Sequence, residues 1–224
     1  MKSNLSINIS LCNDINNNNY VQHIPLEYIR FKKGKFGTLY SPTELNTTTR
    51  LIKISNIVHP TDSRYHSISL RTAQKESRRI LLFSEWFSQT FPENAMRIFQ
   101  CEPIVIDNTV KLKMLIEYIP NAITLSSFID KIEIKDSLKK NIVQKCKDIL
   151  SSISDNKRNA KHNDIHLDNI LVKQQDDKWI PVFIDYDLSQ IDLLQPMQDT
   201  KFPWNNTFND IQKFLQIDKI KNFI

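Results

Sequence analysis

Apolar positions are sparse over residues 1–24, which are polar and rich in asparagine, and this stretch reads as a loose arm with at most one edge strand. From Leu26 the texture changes. Short strand-like runs surround Gly34 and Gly37, and residues 50–55 read as another strand, with residues 43–49 as the polar connection between them. Over residues 67–90, Glu76, Ile80, Phe83 and Phe87 recur at spacings of four, three and four, which puts them on one face of a helix that Pro92 ends. Residues 97–106 and 111–118 follow as a strand pair turning at Asp107 and Asn108. Thr124 caps a short helix through Lys131. A longer helix begins at Asp136 or Ser137, with Leu138, Ile142, Cys146, Ile149 and Ile153 as its apolar stripe. A loop over 161–169, a strand pair near 170–172 and 182–184, and a short helix over 208–215 complete the order. The predicted class is α+β: strands, one helix, strands, then mostly helices around a small hairpin, with no internal repeat.

Length and composition narrow this picture modestly. The 224 residues suffice for one sizeable core or two small lobes sharing an interface, so one catalytic unit is expected. The formal charge of +5 is a slight excess spread among acids, suited to a nucleotide phosphate or an anionic partner and equally to plain solubility. Basic residues are not concentrated with stacking aromatics, so nucleic-acid binding gains little support. Cys12, Cys101 and Cys146 are widely spaced and odd in number, which fits neither a disulfide framework nor a metal cluster and points to a reducing, cytoplasmic setting. No stretch approaches the roughly 18–20 apolar residues of a membrane span, and the N-terminus lacks a basic start followed by an apolar run.

The densest chemistry lies in His162-Asn163-Asp164-Ile165-His166-Leu167-Asp168-Asn169, followed by an apolar run and then by Ile184-Asp185-Tyr186-Asp187. Phosphoryl transfer needs a carboxylate near the attacking hydroxyl and oxygen ligands for Mg²⁺ across the site from it. An Asp and an Asn five apart on one loop, with a second Asp emerging from a neighbouring strand, meet both demands. A zinc set of His162, Asp164 and His166 lacks a compelling fourth ligand.

These residues resemble the catalytic loop of the protein kinase family, in particular its compact atypical Ser/Thr members of viral or bacterial-effector type. The resemblance implies a two-lobed fold, with a small antiparallel-sheet N-lobe and hinge over residues 25–119 and a truncated, mainly helical C-lobe over 120–224. It makes Asp164 the base or orienting residue, Asn169 a metal ligand and Asp185 the principal metal ligand, with ATP and Mg²⁺ as cofactors. Gly34, Phe36 and Gly37 look like the latter part of a glycine-rich phosphate loop, and both glycines of the chain stand there. Lys53 resembles the lysine that pairs with the α- and β-phosphates, and Glu76 its ion-pair partner. Glu85 is the competitor, but nine residues at ~100° each put it on the opposite helix face. Residues 115–119 resemble the hinge strand, with Ile116 as gatekeeper and the backbone of Glu117 and Ile119 meeting adenine. Asp210 resembles the buried acid that braces the catalytic loop. The motifs span about residues 26–215 in the expected order.

Three positions depart from that template. Lys32 stands where the first loop glycine usually does, His166 where Ser/Thr kinases commonly have Lys, and Asp187 where a glycine follows the metal-binding Asp. The last two look more like aminoglycoside and choline phosphotransferases, or compact viral and bacterial-effector kinases. The tail after Asp185 is short and has no Ala-Pro-Glu signature, so activation-loop phosphorylation is not expected, whereas an activating protein partner would suit so small an enzyme. The leading expectation is a minimal Ser/Thr protein kinase acting on a protein substrate, ahead of a small-molecule kinase and of a pseudokinase binding module. Taken singly, Lys53 reads as a strand-end charge, Glu76 as a helix-surface acid, the glycines as turn residues and His162 as a packing residue.

Overall fold

Among the described residues, the first strand follows the asparagine-rich arm of the sequence. The structure, a computed structural model, describes residues 24–25, 27–33, 37–46, 48–57, 69–155, 159–191 and 210–223. The expected N-terminal arm, apart from Ile24, therefore lies outside the described residues, as do Gly34 and Phe36 of the expected phosphate loop.

Five strands, β1 (Tyr28–Lys33), β2 (Gly37–Pro42), β3 (Arg50–Asn56), β4 (Ile98–Ile106) and β5 (Thr109–Glu117), form one antiparallel sheet in the order β1-β2-β3-β5-β4. Side chains alternate between its faces. Leu51, Leu112, Met114 and Ile116 therefore join the main core, while Ile52, Ile54 and Ile104 form a separate small cluster on the other face. The same alternation turns Lys53 and Ser55 to the main-core side, with Leu51. Asp107 and Asn108 both have positive φ and close β4 to β5 as a two-residue hairpin, as their residue types predict. Gly37 pairs with Ser55, and a Cβ at residue 37 would lie 2.8 Å from the Ile54 carbonyl oxygen. Close strand approach is thus reason enough for glycine there, independent of any phosphate.

Helix α1 (Leu70–Thr90) packs on this sheet through Ala73, Ser77, Ile80, Phe83, Ser84 and Phe87. Ser69 caps it, its hydroxyl accepting from the Thr72 amide at 3.2 Å. Beyond Pro92 the chain turns, and residues 94–96 run beside the end of a second sheet. That sheet has the antiparallel order β6 (Ala122–Thr124), β7 (Ile170–Gln175), β8 (Lys178–Phe183). Phe183 donates its amide to Asn94 at 2.8 Å, and Met96 donates back to Phe183 at 3.1 Å, so the two sheets are stitched by backbone. The β7–β8 hairpin is longer than the expected strand pair, closing at Asp176 and Asp177, whose positive φ supplies the turn. Its outer half is polar along β7, where Lys173, Gln174 and Gln175 carry no apolar signal.

Helices α2 (Leu125–Asp130) and α3 (Asp136–Ser154) cover this second sheet. Thr124 caps α2 as predicted, at 3.2 Å from the Ser127 amide. The buried stripe of α3 contains Ile142, Cys146, Ile149 and Ile153 with Val143 and Leu150. Helices α4 (Asp210–Leu215) and α5 (Asp218–Lys221) close the chain, α4 against α3. Phe83, Phe87, Phe183 and Tyr186 make one aromatic cluster between the sheets, with centroid separations such as 5.2 Å for Phe83–Tyr186 and 5.8 Å for Phe87–Phe183. The fold is α+β, and among the described residues no helix is long and apolar enough to cross a membrane.

Candidate functional site

The loop over residues 161–169 has its shape set from below. The Asp210 carboxylate, 2 % exposed at the start of α4, accepts from the His162 amide at 2.5 Å and the Asn163 amide at 3.0 Å. A carboxylate placed there satisfies two loop donors at once and lets Asn163 hold its positive φ of 65°. His162 is fully buried, its Nε2 2.8 Å from the Ile184 carbonyl and its ring edge-on to Phe83 and Tyr186. That is a packing and hydrogen-bonding role, as its residue type alone suggested.

Ile184 joins the loop to the segment carrying Asp185. Its amide donates to the Asn169 carbonyl at 3.0 Å, while Lys161 and Gln190 exchange backbone bonds at 2.9 and 2.7 Å. Two segments are thereby zipped together, which sets Asn169 beside the residue that precedes Asp185. Asn169 donates Nδ2 to the Asp164 carboxylate at 2.9 Å and to the Asp164 carbonyl at 3.0 Å. With the amide nitrogen so anchored, its Oδ1 faces away as a hard oxygen donor. His166 Nε2 stands 3.8 Å from the Asp164 carboxylate and is half exposed.

Asp185 takes a left-handed conformation, φ 64° and ψ 69°, at the entry to a 3-10 turn over Tyr186–Leu188. Its Oδ1 lies 2.7 Å from Lys53 Nζ, and Asp187 Oδ2 lies 2.9 Å from the same nitrogen. Ser55 also donates its hydroxyl to Asp187 Oδ2. Burial alone would push the Lys53 ammonium toward its neutral form, but the charges of Asp187 and Asp185 outweigh it and raise the pKa above the ordinary lysine value.

Of the expected site residues, Lys53, Asp164, Asn169 and Asp185 are therefore linked through direct contacts and the Asn169–Ile184 bond. Glu76 is not joined to Lys53. Its carboxylate instead takes Arg79, one turn along α1, through Nε and Nη2, both at 2.8 Å, and Arg79 Nη2 reaches the Asp187 carbonyl. The Lys53–Glu76 pair expected from sequence gives way because two acids on the turn reach the ammonium and a guanidinium on Glu76's own helix claims that carboxylate. Glu85 is exposed, as its helix face predicts. In the expected hinge, Ile116 is buried, but the Glu117 amide is committed to the Arg97 carbonyl at 2.9 Å and is not offered to a base. Ile119 packs partly buried against the main core.

Sequence reasoning missed Ser55 and Arg79 and assigned Asp187 no place. Their signals were a serine two residues after Lys53 on the same strand face, and an arginine three after Glu76 on the helix. Among the described residues, no group of three or more His, Cys, Asp or Glu side chains could hold a metal alone. Asp185 and Asn169 Oδ1 remain as a carboxylate and an amide oxygen, a set that suits Mg²⁺ only when phosphate oxygens complete its shell. No protein-family model matches the chain, and no curated protein matches it.

Proposed function

We propose that the chain is a two-lobed, protein-kinase-like phosphotransferase that uses ATP and Mg²⁺ to phosphorylate a serine or threonine hydroxyl of a protein. The observation that carries this reading is the 2.7 Å contact of Lys53 on β3 with Asp185, 132 residues apart in the chain and just past the end of β8 in the other sheet, together with the Asp164–Asn169 pair. A lysine beside a carboxylate, with an amide oxygen on the adjoining loop, is the set of groups that a metal-bound nucleoside triphosphate requires.

Bound Mg²⁺ would supply neutralisation of the phosphate charge. Asp185 and Asn169 are the residues to hold it. Lys53 is protonated at neutral pH and exchanges carboxylates for phosphate oxygens, which brings its charge to the nucleotide. Asp164, kept in place by the Asn169 amide, orients the acceptor hydroxyl and takes its proton. Positioning and charge complementarity carry the catalysis, without a covalent enzyme intermediate.

A small-molecule acceptor is the second reading, favoured by His166 beside the Asp164 carboxylate and by Asp187 two residues past Asp185. Incubation with γ-labelled ATP and Mg²⁺, once with whole-cell lysate and once with a panel of aminoglycosides and choline, separates the two. Label on protein that disappears with Asp164→Asn supports the protein kinase, and label only on small molecules supports the second reading. Absence of label in both arms overturns phosphotransfer and leaves a binding module.

A further inference from the structure

We propose that Asp187 is a positioning residue, latched to β3 by its carboxylate and to α1 by its main-chain carbonyl, and that this latch fixes Asp185 and makes its position depend on α1. The proposed phosphotransfer gives the latch its consequence, whereas the latch itself stands on contacts in the free protein.

Asp187 is gripped from two elements. From β3, Ser55 and Lys53 both donate to Oδ2, the lysine at 2.9 Å. From α1, Arg79 Nη2 donates to the carbonyl oxygen, while Glu76 holds the same guanidinium in place. Only Tyr186 separates Asp187 from Asp185, and it is fully buried, its hydroxyl 2.7 Å from the Phe183 carbonyl. The turn is thus pinned from below by the phenol and from the sides by Asp187. Asp185 holds a left-handed conformation, and these contacts fix the turn that follows it.

A metal-ligand role for Asp187 fits less well. Its Oδ2 already serves two donors, and Ser55 is 1 % exposed in the sheet. Its side chain is 21 % exposed, against 36 % for Asp185. Glu76 acquires a different task from the one expected: it orients Arg79, and Arg79 carries the tie from helix to acidic turn. A displacement of α1 would withdraw Arg79 and release the turn, so whatever seats α1 also seats Asp185.

The test uses the full chain with Ser55→Ala, Arg79→Met, Arg79→Lys and Asp187→Asn. In the free protein, hydrogen exchange is followed at the amides of residues 184–189, including the Ser189 amide that donates to Tyr186. Arg79→Met, Ser55→Ala and Asp187→Asn are each expected to speed exchange there by about tenfold or more, the effect of losing a hydrogen bond to a charged group. Arg79→Lys, which keeps a donor, is expected to restore most of the protection. In phosphotransfer the same variants lower kcat and raise the Mg²⁺ concentration for half-maximal rate alike, because each acts through Asp185, and Ser55→Ala combined with Asp187→Asn is no worse than the more severe single change. Unchanged exchange in all variants overturns the latch. So does a raised Mg²⁺ requirement confined to Asp187→Asn, which would make Asp187 a ligand. If the wild type transfers no phosphoryl group but exchange responds as stated, the latch stands and the phosphotransfer reading fails.

Discussion

Lys53 contributes through charge more than through packing, and the sign of its titration follows from its neighbours. Asp187 and Asp185 raise its pKa above the ordinary value, so the stabilisation is complete below the unfolded lysine value of about 10.4 and drains away as pH rises through the folded one. The stability difference between wild type and Lys53→Met, measured by urea denaturation, is therefore expected to be constant from pH 7 to 9 and to shrink by pH 11. Asp210 acts through hydrogen bonds instead. Removing it in Asp210→Ala leaves the amides of His162 and Asn163 without their acceptor, with an expected loss of about 2–5 kcal/mol in the same assay. Cys101 and Cys146 are buried, which pushes the Cys101 thiol up to about 12 and that of Cys146 higher still. In a Cys12→Ser variant at neutral pH, a thiol reagent is expected to find no reactive group in the folded protein and two in denaturant.

Elements with one strong local signal were legible in the sequence. The period of Ile80, Phe83 and Phe87 gave α1, the Asp107-Asn108 pair gave the β4–β5 hairpin, and the apolar stripe of α3 gave its length. Within the candidate site, Asp164 and Asn169 were legible because they share one loop, and Asp210 because it opens a helix after that loop. The partner of Lys53 was not. Choosing between Glu76 and the acids of the 185–188 turn depends on how α1 is rotated and how close that turn comes to β3, which are tertiary distances no local pattern encodes. Arg79 escaped notice for the same reason, since an arginine on a helix is ordinarily a solvated charge. At this scale Phe87, fully buried between α1, β8 and Tyr186, is expected to cost about 3–5 kcal/mol on truncation to Ala, measured by chemical denaturation.

The main core of the described residues runs continuously from Leu51 and Met114 of the five-stranded sheet through Phe83 and Phe87 to Phe183 and Val172 of the smaller one. The backbone bonds between residues 94–96 and Phe183 cross the same junction. A core shared in this way unfolds as a unit. Trp86 on α1 and Trp179 on β8 report on different sides of it, so single-tryptophan variants retaining one or the other are expected to give the same urea midpoint. The site proposed for phosphotransfer lies across this junction, with Lys53 supplied by one sheet and Asp164, Asn169 and Asp185 by loops flanking the other. The most direct measurement is calorimetric titration of the free protein with a non-hydrolysable ATP analogue, with and without Mg²⁺. One site whose affinity requires Mg²⁺ and falls about tenfold or more in Asp185→Ala and in Lys53→Met is the predicted result. No binding, or binding indifferent to Mg²⁺ and to both substitutions, would contradict it.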